Sequence, residues 1–109
     1  MSAELAGRLN QRIVIERPSA VRTDSGLQTA DWEPVARCLA AIEPEGAGPE
    51  TEGMALSAMP RFRVTMRPRD GVLVGQRVLW GGRVLMIRQR IDDPRLKDRT
   101  VLRCEEART

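Results

Sequence analysis

Between Met59 and Arg67 apolar and charged residues alternate: Phe62, Val64 and Met66 fall on one side, and Arg61, Arg63, Thr65 and Arg67 on the other. Only an extended chain sends every second side chain to the same face, so this segment reads as a half-buried strand. The same period of two recurs along the sequence while helical spacing is hard to find, which makes the chain mainly β.

The other strands follow from the same reading. Arg12 to Arg17 places Ile13 and Ile15 on one face and stops at Pro18. Residues 19–28, centred on Asp24, Ser25 and Gly26, are expected to turn the chain. Trp32 to Glu43 is a long second strand, bent or bulged near Pro34 because proline withholds a ladder donor, with Ala36, Cys38, Ala40 and Ile42 inward. Residues 44–58 hold Gly46, Gly48, Pro49 and Gly53 and read as one long loop, with a short helical turn around Met54 to Ser57. After a turn at Pro68 to Gly75, Gln76–Trp80 and Arg83–Ile91 flank Gly81-Gly82, whose freedom at positive φ suits a type I′ hairpin. A two-residue loop fixes the register: Trp80 opposite Arg83, Leu79 opposite Val84 and Val78 opposite Leu85. One face then carries Val78, Trp80, Leu85, Ile87 and Ile91. The other carries Leu79, Val84 and Met86 among Arg77, Arg88 and Arg90, which suggests cover by another segment or subunit. Thr100 to Glu105 closes the series with Leu102 and Cys104 inward.

About six short-linked strands make a small antiparallel barrel or sandwich, one domain over residues 1–109 preceded by a flexible arm at residues 1–8. The expected core is Ile13, Ile15, Trp32, Cys38, Ile42, Phe62, Val64, Val78, Trp80, Leu85, Ile87, Leu102 and Cys104.

Composition narrows the chemistry. The 109 residues include no His and no Tyr, so a Ser-His-Asp or Cys-His nucleophile cannot be built. Cys38 and Cys104 are too far apart in sequence for a zinc knuckle and are expected as two buried thiols in a reducing compartment. Neither a catalytic group, a metal site nor a cofactor site can be nominated. No apolar run approaches the roughly 18 residues of a membrane span, and Met1 to Gly7 lacks the pattern of a secretion signal, so the expected compartment is cytoplasmic.

The net charge of +3 conceals an asymmetry. Residues 1–58 carry 5 Arg against 9 acidic groups, or −4, and residues 59–109 carry 13 basic against 6 acidic groups, or +7. Glu43, Glu45, Glu50 and Glu52 lie in a stretch with no base. The basic half could attract phosphate. Its Phe62 and Trp80 both read as core, however, which leaves no stacking platform for single strands and favours Arg contacts with protein.

Several short patterns occur in order: Leu9 before Arg12, Ile13, Ile15, Arg17 and Pro18; Asp24 and Gly26 before Trp32; Ala40, Ile42 and Pro44; Arg63 to Arg67; Gly75, Arg77, Val78, Trp80, Gly82 and Arg83; and Leu102, Cys104 and Glu105. Together they resemble the head-tail joining family of tailed bacteriophages and gene transfer agents, the head-closure or stopper proteins, from about Leu9 to Glu106. The family often has a His where Arg61 and Phe62 stand, and an aromatic where Leu85 and Met86 stand.

The resemblance implies a small β-barrel that forms a ring in the neck of a phage or gene transfer agent particle, assembled in the bacterial cytoplasm. Its implied partners are further copies of itself, portal or adaptor proteins on the head side, tail terminator or tail tube proteins, and the packaged double-stranded DNA in its channel. In some relatives the loop between the second and third strands blocks DNA exit. Here that candidate channel loop holds Glu43, Glu45, Gly46, Gly48, Glu50, Glu52, Gly53 and Met54. Its 15 residues, out and back, reach on the order of 25 Å. The candidate subunit interface is Arg61, Arg63, Arg67, Arg77, Arg88 and Arg90. The alternatives are a small nucleic-acid-binding barrel and an adaptor or tail-side connector.

Overall fold

A computed structural model describes residues 3–22, 28–46 and 59–107. Helix α1 (Ala3–Arg8) precedes six strands: β1 (Gln11–Arg22), β2 (Gln28–Pro44), β3 (Arg61–Met66), β4 (Arg77–Trp80), β5 (Arg83–Ile91) and β6 (Thr100–Glu106). They close as a barrel in the order β1-β2-β3-β6-β5-β4, every neighbouring pair antiparallel, with β4 returning to β1. Of the two architectures the pattern allowed, the barrel forms, and closure leaves its wall without a free edge.

The core is built by the alternating residues. Ile13, Ile15, Phe62, Val64, Val78, Leu85, Ile87, Leu102 and Cys104 are all buried in one cluster, with Cys38, Ile42 and Trp80 packed partly buried against it. Phe62 meets Trp80 edge to face with centroids 5.5 Å apart. The Gly81-Gly82 hairpin has the expected register, with φ of 55° and 85° at the two glycines. The irregularity expected near Pro34 is also there. Ile15 faces Ala36 and Glu16 faces Pro34, so Val35 is the extra residue of a bulge.

Five expectations are corrected. First, β1 does not stop at Pro18. It pairs with β2 out to Arg22 opposite Gln28, so residues 17–22 and 28–33 form a two-stranded ribbon beyond the reach of β4, whose pairing ends at Glu16. Asp24, Ser25 and Gly26 of the expected turn lie outside the described residues. Second, Trp32 sits on this ribbon, only partly buried and outside the core cluster, with the Arg77 guanidinium 4.2 Å from its ring centroid.

Third, Ile91 is 36% exposed. Ile87 faces Cys104 but Gln89 faces Arg103, so Arg88 is an extra residue and the inward phase of β5 flips after it. Arg90, opposite the fully buried Leu102, comes to the core side in place of Ile91. Fourth, residues 3–8 are not a loose arm. Leu5 of α1 is 1% exposed and clusters with Leu9 and Ala41 on the outside of the barrel. Thr65, expected to face solvent, pairs with Ala41 under this cover and is buried at 3%.

Fifth, the loop after β2 begins later than Pro44. The Glu45 amide donates to the Arg61 carbonyl at 2.8 Å, and the Arg61 amide to the Gly46 carbonyl at 3.1 Å, which extends the β2–β3 ladder. The other loop residues singled out, Gly48, Glu50, Glu52, Gly53 and Met54, lie outside the described residues, as does the helical turn expected at 54–57.

Candidate assembly surface

The outer face of β3, β6 and β5 gathers three of the six arginines expected at an interface, Arg61, Arg63 and Arg88. Register sets Arg61 beside Glu105, and Arg63 beside Arg103. Two like charges directly opposite each other destabilise a sheet. Glu45 removes the conflict: one carboxylate oxygen accepts from Arg63 Nε at 3.2 Å and the other from Arg103 Nε at 3.3 Å. Its side chain is only 14% exposed, whereas the two arginines are about half exposed at 52% and 49%. One row away Glu105 takes Arg88 at 3.3 Å and Arg61 at 4.0 Å. Between the rows lies an open depression of about 460 Å³ lined by Glu45, Glu105, Arg61, Arg88, Arg103 and Gln89. Four guanidinium groups surround two carboxylates, so the face is ordered by its acids yet keeps a positive excess.

The six arginines expected at an interface therefore separate. Arg61, Arg63 and Arg88 belong to this face. Arg67 donates to the Asp98 carbonyl at 3.4 Å. Arg77 is a strut: it holds Glu16 of β1 at 2.8 Å while lying over Trp32, which joins barrel and ribbon. Arg90, brought to the core side by the Arg88 bulge, donates to the carbonyls of Arg69 and Val72 and to Asp92. Asp92 also accepts from the Thr100 hydroxyl at 2.6 Å, and its bonds to Arg90 and then Thr100 hold its carboxyl below the usual range.

Of the acidic loop residues described, Glu43 pairs with Arg8 at 3.2 Å and Glu45 forms the double bridge. Arg103 and Glu105 were missed as site residues. Both alternate with the inward Leu102 and Cys104 of β6, and that period was the available signal. Arg83, also missed, stands 5.4 Å from the centroids of both Phe62 and Trp80.

The thiols offer little reactivity. Burial, with a smaller push from Glu45, raises Cys104 to about 12, and burial raises Cys38 against the opposing charge of Arg69. Among the described residues no group of three or more His, Cys, Asp or Glu could hold a metal ion, and no helix is long and apolar enough to cross a membrane. The arrangement can bind through charge and shape.

A family model described as phage head completion protein matches residues 5–107. A comparison with curated protein sequences gives no match. Among solved structures, the chain is similar to the solution structure of protein SF1141 from Shigella flexneri 2a, at 24% identity and a TM-score of 0.69, covering 93% of this chain and 95% of that one. It is also similar to a chain in the virion of a native gene transfer agent particle, at 20% identity and a TM-score of 0.67, covering 92% of this chain and 96% of that one. At such identities the likeness is one of fold.

Proposed function

The chain belongs to the phage head completion protein family, and from that membership we propose that it is a structural subunit of the particle neck. In this reading it forms a ring between the portal or adaptor complex and the tail, continues the DNA channel, and closes the filled head. The observation that carries the reading is the extent of the family match. Residues 5–107 begin within α1 and take in all six strands, so the whole barrel is the family's unit. The outer face of β3, β6 and β5 supports it, because exposed arginines ordered by half-buried carboxylates are preorganised to take acidic groups of a neighbour.

The residues after Gly46, 47–58, supply the channel loop. Glu45 and Gly46 fix its first foot to β3, and Glu50 and Glu52, with no base among residues 47–58, give it a charge that repels phosphate, so it acts by occupying space rather than by gripping DNA.

The test is genetic and biochemical. Particles from cells lacking the gene should be tailless heads that lose their DNA, and adding back the purified chain should restore DNA retention and tail joining. The chain should co-sediment with such heads. Normal tailed particles without the gene overturn the reading. With the chain present, deletion of residues 47–53 should restore tail joining but not retention in tailless heads; full retention removes the loop from the closing step.

A further inference from the structure

The turn between β3 and β4 is built more firmly than a connection requires. Val72 is fully buried in the core cluster, and Gly71 and Gly75 take φ of 88° and 96°. Gln76, 5% exposed, spans the turn with its side chain, donating to the Gly71 carbonyl at 2.8 Å and accepting from the Leu73 amide at 3.0 Å. Arg90 holds the carbonyls of Arg69 and Val72 at 3.0 and 2.7 Å. The Gly75 amide donates to the Ile87 carbonyl. What this scaffold presents to solvent is apolar: Leu73 and Val74 are 59% and 58% exposed, the two most exposed large hydrophobic residues among those described. An aliphatic pair held out on a fixed turn loses little conformational freedom on binding, which favours recognition.

A complementary surface lies on the outside of β1 and β2. Arg12 stands opposite Leu39, and Val14 opposite Arg37. With Cys38 they line an open depression of about 430 Å³, and Leu39 is 48% exposed. Among the described residues Arg12 and Arg37 have no ion pair and no side-chain hydrogen bond, unlike the arginines of β3 and β6. Asp70, at the entry to the turn, is exposed and likewise has no ion pair or hydrogen bond. The two surfaces match in kind: two aliphatic side chains beside one free carboxylate, and an apolar floor between two free guanidinium groups.

We propose that the Leu73–Val74 turn of one copy of this chain seats in the Arg12–Leu39 depression of a second copy, with Asp70 set against Arg12 and Arg37. Charge complementarity selects a second copy over an unrelated partner, since both halves of the contact are on this chain. The contact joins two different patches, the kind from which a ring is propagated. It rests on the ring reading and gives that reading a subunit boundary.

Leu39 is the exposed floor of the depression, so a cysteine placed there reports the contact, with the inward Cys38 removed. Particles are assembled with Leu39→Cys/Leu73→Cys/Cys38→Ser in place of the native chain and oxidised. A heterologous contact gives disulfide-linked species beyond the dimer, and these vanish in Leu73→Cys/Cys38→Ser, which lacks the cysteine at 39. Particles that contain the variant but show only monomer, an internal bridge or a pattern independent of the cysteine at 39 overturn the contact. Particles from which the native chain itself is absent overturn the ring reading instead. As a second measure, Asp70→Arg should reduce incorporation at least tenfold while the far-ultraviolet spectrum of the purified chain stays unchanged, and adding Arg37→Asp should restore it. Unaltered incorporation of Asp70→Arg, or failure of the pair to recover, counts against the proposal.

Discussion

Cys104 shows how a single residue reads out the barrel's interior. Its thiol is 2% exposed, and burial first and the neighbouring Glu45 second push it up to about 12 from an ordinary 9.0. Below pH 9 both folded and unfolded chains keep the proton, and the stabilising difference is fully present. Above pH 9 the unfolded chain releases it while the folded chain holds it until about 12, so stability falls across that window. Cys104→Val removes the titrating group and keeps an apolar side chain. Denaturant unfolding across this window should show a shallower decline in the variant, by up to about 1.4 kcal/mol per pH unit. Equal slopes would assign the alkaline loss to other groups. The position of Cys104 was legible from alternation with Leu102. That of Arg90 was not, because one inserted residue at Arg88 moves it from the outside of β5 to the core side, and a bulge leaves no periodic trace before it occurs.

At the scale of elements, legibility followed length and regularity. The Gly81-Gly82 hairpin could be written down residue by residue because turn chemistry and alternation on both sides agree. The ribbon was cut short because Pro18 reads as a stop; in the structure Pro18 pairs opposite Trp32 in a segment with only one neighbour on the sheet, where a missing donor costs no ladder bond to a third strand. Helix α1 was overlooked because six residues hold fewer than two turns, too few for a 3.6-residue pattern to register. Its role is packing: Leu5 and Leu9 cover Ala41 on the outer wall, and Arg8 reaches Glu43. A helix this short is unstable alone and depends on that contact. Leu5→Ala should therefore cost about 2–3 kcal/mol and expose the outer wall at Ala41 and Thr65. Thermal unfolding measures the first and amide exchange at Thr65 the second. An unchanged melting temperature would mean that α1 contributes nothing to the folded barrel.

For the whole molecule the decisive quantity is where its charges are spent. A basic half of +7 suggested phosphate binding, yet the arginines of β3, β4, β5 and β6 that line the barrel wall are engaged by Glu16, Glu45, Glu105, Glu106 and Asp92 of the same chain. A guanidinium already bridged to a carboxylate displaces condensed counterions from DNA less effectively, because it must first give up or share its partner. Arg12 and Arg37 are free of such partners but sit beside Leu39 and Val14, an apolar setting that suits protein better than a phosphate backbone. The isolated chain should thus bind duplex DNA more weakly than about 10⁻⁴ M at physiological salt, the weak end of ordinary non-specific binding. Anisotropy titrations of a labelled duplex at two salt concentrations test this. Micromolar affinity with a steep salt slope would return the arginine surface to nucleic acid and favour the DNA-binding barrel. Weak binding leaves the same surface for acidic groups of protein, as the proposed ring reading requires.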